Sequence, residues 1–280
     1  MTHYILCKLN RLNMYLMLLK TMNFLLLDAS YCIFHRYHAL RNWYKLAKKE
    51  GLENPTENKE FVDKYTKTFV SKIKEIPKKL KIKDPIIIVG KDCPRDTIWR
   101  MKHFPTYKGG RIKNTSIGFF FKLVYEDELF KKGGASKIIK YPTLEADDCI
   151  AIMTKKIQLT FPDANITIIT SDMDYLQLAN DNVHIFDLQF RKLTDKKSSY
   201  NCAEKDLFVK ILTGDKSDNI KGVFKKCGPK TACKYYDNRE LFHKKLEDTE
   251  AMERYLLNKK LIDFNEIPEE LVKNFLKEYS

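Results

Sequence analysis

Phe24-Leu25-Leu26-Leu27-Asp28 is an apolar run that ends in a carboxylate, and the pattern returns twice. Ile86-Ile87-Ile88-Val89 leads towards Asp92, and Ile166-Thr167-Ile168-Ile169 towards Asp172. Short, nearly continuous apolar runs are what strands buried on both faces look like, and such strands belong to parallel sheets. The reading predicts strands at 23–28, 85–90, 165–170 and 183–187, with helical patterns at about 31–49, 59–80, 145–160 and 174–179. Strands alternating with helices predict an α/β fold with a mainly parallel central sheet flanked by helices. In open sheets of this kind ligands bind outside the carboxyl ends of the strands. Asp28, Asp92 and Asp172 all fall there.

Three tight clusters extend the acidic set: Glu145-Ala146-Asp147-Asp148, Asp172-Met173-Asp174 and Asp215-Lys216-Ser217-Asp218. Glu145 and Asp148, like Asp215 and Asp218, are three apart and share a face if helical. Asp172 and Asp174 share a face if the strand continues. Taken singly, each cluster also fits a helix cap or a plain turn. Together they give nine carboxylates in a chain of formal charge +14, with 51 Lys+Arg against 37 Asp+Glu. That combination points to a metal site built for a polyanion. Phosphodiester hydrolysis needs an activated water and neutralised oxygens, which two divalent ions roughly 3.5–4 Å apart supply, and carboxylates are the ligands Mg²⁺ prefers. Crowded carboxylates raise one another's pKa, so the site is expected to be destabilised until cations neutralise it.

The basic balance makes nucleic acid the first candidate partner and an anionic membrane surface the second. Seven cysteines, never closer than six apart, indicate neither a zinc ribbon nor a disulfide framework, and so favour a reducing compartment. Lys8, Arg11 and Lys20 interrupt the Leu- and Met-rich start well short of a membrane span. Residues 1–21 read as an extension or a misassigned start, with a faint likeness to an organelle transit peptide. Trp43 and Trp99 are expected in the core. The six histidines show no metal spacing.

Residues 100–140 break the alternation. Basic, glycine-containing ends (Lys108-Gly109-Gly110-Arg111 and Lys131-Lys132-Gly133-Gly134) flank an aromatic middle, Phe119-Phe120-Phe121. Such an excursion beside an acidic site suits either a clamp for a strand or an ordinary surface helix pair. From 203 onward the patterns are helical only, as for a module set against the sheet edge.

The strings themselves carry a resemblance. Leu26-Leu27-Asp28-Ala29-Ser30-Tyr31, Leu144-Glu145-Ala146-Asp147-Asp148, Thr170-Ser171-Asp172-Met173-Asp174-Tyr175 and Thr213-Gly214-Asp215-Lys216-Ser217-Asp218-Asn219-Ile220-Lys221-Gly222-Val223 occur in this order. They resemble the 5′ nuclease domain of bacterial DNA polymerase I and the stand-alone phage-type flap endonucleases and 5′–3′ exonucleases. Gly228-Pro229-Lys230-Thr231-Ala232 resembles the hairpin of that family's helix–three-turn–helix element. The resemblance implies an α/β core at 22–200, a helical arch at about 100–140 and a helical region at 201–280 with the DNA-binding element at about 205–236. It places a first metal at Asp28, Asp92, Glu145 and Asp147. Asp148, Asp172, Asp174, Asp215 and Asp218 complete that site or support a second. It sets Lys108 and Arg111 on the scissile phosphate, Tyr107 as a stacking aromatic, and 112–140 as the arch a 5′ strand threads. Arg36, Lys226, Gly228, Lys230 and Thr231 become DNA contacts. It implies two Mg²⁺ (Mn²⁺ substituting), K⁺ at the hairpin, branched or 5′-ended DNA or an RNA–DNA hybrid as substrate, a monomer, no membrane, and a replication polymerase in trans.

Three departures stand out. The spacing to Arg100 leaves Asp96 as a rival to Asp92. His35 sits where the family usually has Arg, with Arg36 just after it. Lys226 replaces the first hairpin glycine, which costs stability if that position needs φ > 0. Two other readings remain open: a catalytically inactive, structure-specific DNA-binding protein, and an RNase H-type primer remover.

Overall fold

The structure is a computed structural model that describes residues 22–48, 52–111 and 115–279; the expectations for 1–21 and 112–114 lie outside them. Five parallel strands form the sheet in the order β3-β2-β1-β4-β5: β1 (Asn23–Asp28), β2 (Ile86–Gly90), β3 (Lys137–Ile139), β4 (Asn165–Ile169) and β5 (Val183–Phe186). Side chains alternate between faces. Phe24 and Leu26 join a core with Ile150, Ile166 and Phe275, whereas Leu25 and Leu27 join a second core with Phe61, Tyr65 and Phe69. Burial on both faces is why β1 and β2 are nearly unbroken apolar runs and why β4 is broken only by Asn165 and the buried Thr167. β3 is an edge strand of three residues, too short to carry a pattern.

Register sets the site. Asp28 pairs with Gly90, two residues before Asp92, and Leu27 pairs with Ile169, three before Asp172. A side chain at Gly90 would meet the Ala146 carbonyl at 2.8 Å and Ile150 at 2.7 Å. Glycine there lets the first turn of the next helix close onto the end of β2.

One face is covered by α1 (Ala29–Lys48) and α2 (Lys59–Lys79). α2 starts where the Asn58 side chain accepts the Phe61 N–H (2.8 Å), and it buries Phe61, Tyr65, Phe69, Ile73 and Ile76 at near-helical spacing. Trp43, expected in the core, is 40% exposed at the end of α1, with the Lys64 ammonium over its ring. The other face carries α5 (Ala146–Thr160).

In the span expected to form the helical arch, about 100–140, the described helices α3 (Thr115–Glu126) and the short α4 (Leu129–Lys132) pack on the body of the molecule. Ile117, Phe120 and Val124 are buried on one stripe, and the Phe120 ring lies 4.6 Å from Tyr65 and 5.1 Å from Tyr37. A free-standing arch would expose this stripe, and its burial is the stronger term. Among the described residues the irregular excursion is confined to about 103–111.

Beyond the sheet come α6 (Ala203–Thr213), α7 (Pro229–Asp237), α8 (Arg239–Asp248), α9 (Met252–Ile262) and α10 (Glu269–Glu278). Phe208, Leu212, Phe224, Ala232 and Phe242 give α6–α8 a core of their own. The chain then returns: α10 packs against α5, and Phe264, Ile267 and Phe275 enter the sheet's core. No described helix is long and apolar enough to cross a membrane. The described cysteines are all free.

Candidate active site

At the end of β1, the Tyr31 N–H (3.0 Å) and the Thr170 hydroxyl (3.1 Å) donate to Asp28. Burial, then the Asp92 carboxylate, pushes Asp28 up to about 7. Asp92 accepts from the Ser30 hydroxyl and from the Ala146 N–H (2.9 Å), at the open N-terminus of α5. Asp96 stands exposed in a short 3₁₀ turn, so the geometry favours Asp92 over its rival.

Glu145 caps α5, and the Asp148 side chain accepts the Glu145 N–H (3.1 Å), a capping box with Asp148 in the reciprocal place. Asp148 is fully buried. Its oxygens accept from Arg100 Nη1 (2.8 Å), Arg100 Nη2 (2.7 Å) and Trp99 Nε1 (2.9 Å). Arg100 also reaches Glu145 at 3.0 Å. Glu145, Asp147 and Asp148 each offer an oxygen within 4.8 Å of the others, a group able to hold a metal ion. Asp148, already fixed by a guanidinium and an indole, orients that group; Glu145 and Asp147 are the members better placed to bind. Burial, then Asp148 and Glu145, holds Asp147 well above the usual carboxylate range. Burial would raise Glu145 too, but Lys108 and Arg100 outweigh it and hold it low.

The loop 103–111 supplies the opposing charge. Lys108 adopts φ 55° and donates its N–H to the Asp218 carbonyl (3.0 Å), which aims its ammonium at Glu145 and, at 3.8 Å, Asp218. Arg111 pairs with the other Asp218 oxygen. Tyr107 differs from expectation. It is 3% exposed, and its hydroxyl contacts Glu145 (3.1 Å) and Asp218 (3.2 Å). Its ring is therefore part of the wall and not a platform for a base. Burial dominates here, because the hydroxyl finds acceptors only when the ring is inside.

On the far side, Asp172 caps the 3₁₀ turn Met173–Leu178 by accepting the Asp174 N–H (2.9 Å). That turn stands where a helix at 174–179 was expected. Lys210, on α6, lies 2.7 Å from Asp174 and 2.6 Å from Asp215. Burial, then Asp172, still pushes Asp174 up to about 7 against the pull of Lys210. Asp215 goes the other way: burial opposes, but Lys210 and the Ser217 hydroxyl and N–H bring it to about 2.

Of the residues predicted from sequence, all nine carboxylates, Lys108 and Arg111 lie along one edge. Arg100, Trp99, Lys210, Ser30 and Thr170 were missed as site residues; only Arg100, an arginine amid apolar neighbours, offered any signal. The donor set fits hard divalent cations: it is oxygen only, crowded, and bridged by ammonium groups, Lys108 between Glu145 and Asp218 and Lys210 between Asp174 and Asp215.

The DNA contacts expected from the hairpin lie apart. Lys226 adopts φ 58°, the left-handed conformation expected to be costly there. Gly228 caps α7, with Pro229 at the first helical position. Thr231 already gives its N–H to the Gly228 carbonyl (3.0 Å), so its amide is engaged in the helix's first turn; Lys230 is exposed. Behind the hairpin is a cavity of about 820 Å³ whose lining includes Lys221, Lys225, Lys245 and Arg254. None of these four makes an ion pair among the described residues. Arg36 is half-buried on α1, and its Nε has no hydrogen-bond partner among the described residues.

A parallel five-stranded sheet with carboxylates along its carboxyl edge and a basic loop against them defines a resolvase-like α/β nuclease fold. The chain belongs to the 5′–3′ exonuclease family, whose N-terminal, resolvase-like domain matches residues 23–211. It is 31% identical to the flap endonuclease Xni of Colwellia psychrerythraea over 133 residues, 46% of this chain and 44% of that protein. It is 26% identical to the flap endonuclease of Escherichia phage T5, covering 57% of each. It is 29% identical to the ribonuclease H of Enterobacteria phage T4, covering 69% of each. The alignment thus spans less than half of the Colwellia relative. Among solved structures, the T5 5′-exonuclease with bound zinc superposes with a TM-score of 0.63 at 21% identity, covering 91% of this chain and 97% of that one. At that identity the likeness concerns the fold.

Proposed function

We propose that the chain is a divalent-metal-dependent 5′ nuclease that cuts DNA at the base of 5′ flaps and resects 5′ ends. The observation that carries this reading is that carboxylates stand at the ends of β1, β2 and β4, on the first turn of α5 and on the loop after α6. Lys108 and Lys210 link those of the loop to those of α5 and β4, with Arg111 on Asp218. Asp28, Asp92, Glu145 and Asp147 would hold one divalent ion, and Asp172, Asp174, Asp215 and Asp218 a second. When bound, the ions supply an ionised water and charge neutralisation at the leaving oxygen, with Mg²⁺ the fitting ion and Mn²⁺ a substitute.

The chain's own residues do the rest. Lys108 and Arg111, paired with carboxylates here, are positioned to turn to a phosphate once metal takes over the neutralisation, and would stabilise its developing charge. Arg100 and Trp99 hold Asp148 and Glu145 rigid, so that reorganisation is small. Lys226, Lys230 and the cations around the basic cavity suit duplex phosphates, which position a substrate without reading its sequence. K⁺ at the hairpin, a monomeric state and a polymerase acting in trans belong to the same reading.

The test is Mg²⁺-dependent cleavage of a 5′-labelled DNA flap, with Asp174→Asn beside wild type. Metal-dependent cuts near the junction, lost in the variant while flap binding persists, are the expected result. Tight binding with no cleavage in Mg²⁺ or Mn²⁺ would overturn it in favour of a DNA-binding protein. A second reading, removal of RNA from RNA–DNA hybrids, is supported by the match to the T4 ribonuclease H. Relative rates on a hybrid and on a DNA flap separate the two.

A further inference from the structure

The last carbonyls of an α-helix have no partner within the helix and carry its partial negative charge. At the end of α9 two of them are taken by side chains of the acidic site. Arg100 Nε donates to the Leu261 carbonyl (2.7 Å), while its Nη atoms hold Asp148 and Glu145. Gln177 Nε2 donates to the Ile262 carbonyl (3.0 Å) and to the main-chain carbonyl of Asp174 (2.8 Å), and its Oε1 accepts the Phe264 N–H (2.8 Å). Adjacent carbonyls of one corner are thereby tied to the two opposite sides of the carboxylate edge. Arg100, Leu261, Ile262 and Phe264 are each 2–3% exposed and the Arg100 bond is made out of water, where an unpaired partner is costly, whereas the Gln177 bonds are half-buried. α9 is held in turn: Asn258, also buried, donates to the Ile211 carbonyl (2.9 Å) at one end of α6 and to the Lys221 carbonyl (2.8 Å) beside the hairpin.

We propose that the corner 261–264 is a positioning device that fixes the spacing between the Glu145–Asp148 and Asp172–Asp174 sides of the site, with Arg100 and Gln177 as its positioning residues. The proposal rests on the metal-dependent reading above. The corner lies beyond residues 23–211, the part that matches the family's N-terminal domain, so the C-terminal region contributes to the metal geometry as well as to DNA binding. Gln177 ties the 3₁₀ turn carrying Asp174 to the corner by three hydrogen bonds, one within the turn and two to the corner. Without it, the turn keeps its Asp172 cap, its Lys210 contact and the packing of Tyr175 on Phe264, but loses its hydrogen bonds to the corner.

The test is calorimetric titration of Mn²⁺ into the full chain without DNA, for wild type, Gln177→Met and Lys155→Met, alongside thermal unfolding and flap binding in Ca²⁺. Lys155 ties the same corner, through Phe264 O (3.3 Å) and Asn265 Oδ1 (2.8 Å), yet touches no carboxylate of the site. Gln177→Met is expected to weaken Mn²⁺ binding about tenfold or more, to raise the Mg²⁺ concentration needed for half-maximal cleavage, and to leave flap binding unchanged. Lys155→Met should lower the melting temperature alone. Equal melting losses in both variants with unchanged Mn²⁺ affinity would overturn the proposal and leave the corner merely structural. Absence of Mn²⁺ binding by wild type would overturn the nuclease reading and this proposal together. Should Gln177→Met not fold, Gln177→Glu, which keeps the acceptor for the Phe264 N–H but cannot donate, carries the same comparison.

Discussion

Glu145, Asp148 and Asp218 sit among Arg100, Lys108 and Arg111, whereas Asp28 and Asp92 sit among hydroxyls and backbone amides. Glu145, Asp148 and Asp218 are the more buried side, whereas Asp28 and Asp92 are half-buried, yet Glu145 is held low and Asp28 is pushed up to about 7. Asp174 and Asp215 share a single Lys210 yet part, because the Ser217 hydroxyl and N–H also donate to Asp215, which goes to about 2, while burial and Asp172 push Asp174 up to about 7. The difference separates two duties. Asp148, fixed by the Arg100 guanidinium and the Trp99 indole, holds the shape of the edge, while Glu145 and Asp218 would have to exchange Lys108 and Arg111 for a metal. Carboxylates left with neutral donors are where an external cation stabilises most, and where the folded chain carries the cost of an unneutralised charge.

The largest effect should come from breaking the second group. Asp28→Asn removes a proposed metal ligand, one worth several kcal/mol of transition-state stabilisation in the proposed mechanism, and so is expected to lower cleavage by about a thousandfold. The same change should raise the melting temperature of the metal-free chain, because it removes a buried, repelled charge. Activity and thermal unfolding measured on one preparation check both. Arg100→Met attacks the first group instead. It strands Asp148 without its cation, while Glu145 keeps Lys108, and is expected to cost about 3–5 kcal/mol in denaturant unfolding.

A pH series sharpens the contrast. Asp28 has a folded pKa near 7, above the roughly 3.9 of an unfolded aspartate. Between these values the native state binds the extra proton, so the Asp28 side chain destabilises the fold progressively as pH rises from about 4 through about 7. His35 and His184, lowered by burial, act in the opposite sense over part of this window. The readout is therefore the difference between wild type and Asp28→Asn. The variant's advantage should be largest near pH 8, shrink on acidification, and vanish at any pH when Mg²⁺ saturates wild type.

The smallest effect belongs to the hairpin. Lys226→Gly relieves a left-handed φ of 58° and should stabilise the chain by roughly 1 kcal/mol. It should also weaken flap binding and flatten its salt dependence by about one phosphate contact.

Much of this was legible in the sequence. The runs at Phe24, Ile86 and Ile166 read as strands because both faces of a parallel sheet are apolar, and register then carried Asp28, Asp92 and Asp172 to one edge. β3 was not legible, since Lys137-Ile138-Ile139 is three residues at a sheet edge. The docking of α3 was not either: Ile117, Phe120 and Val124 say that something covers that stripe, but not that α1 and α2 do. Trp43 shows the converse, a large ring left exposed at a helix end. Arg100, Gln177 and Lys210 were missed as site residues for a common reason. Their meaning lies in partners as far as 161 residues away in the chain, such as Arg100 with Leu261, and no local pattern encodes that.

The most direct measurement is anomalous diffraction from crystals soaked in Mn²⁺. The account predicts two peaks roughly 3.5–4 Å apart, one against Asp28, Asp92, Glu145 and Asp147 and one against Asp172, Asp174, Asp215 and Asp218, with Lys108 and Lys210 displaced from their bridging positions. No peak at saturating Mn²⁺, with both lysines still bridging the carboxylates, would contradict it.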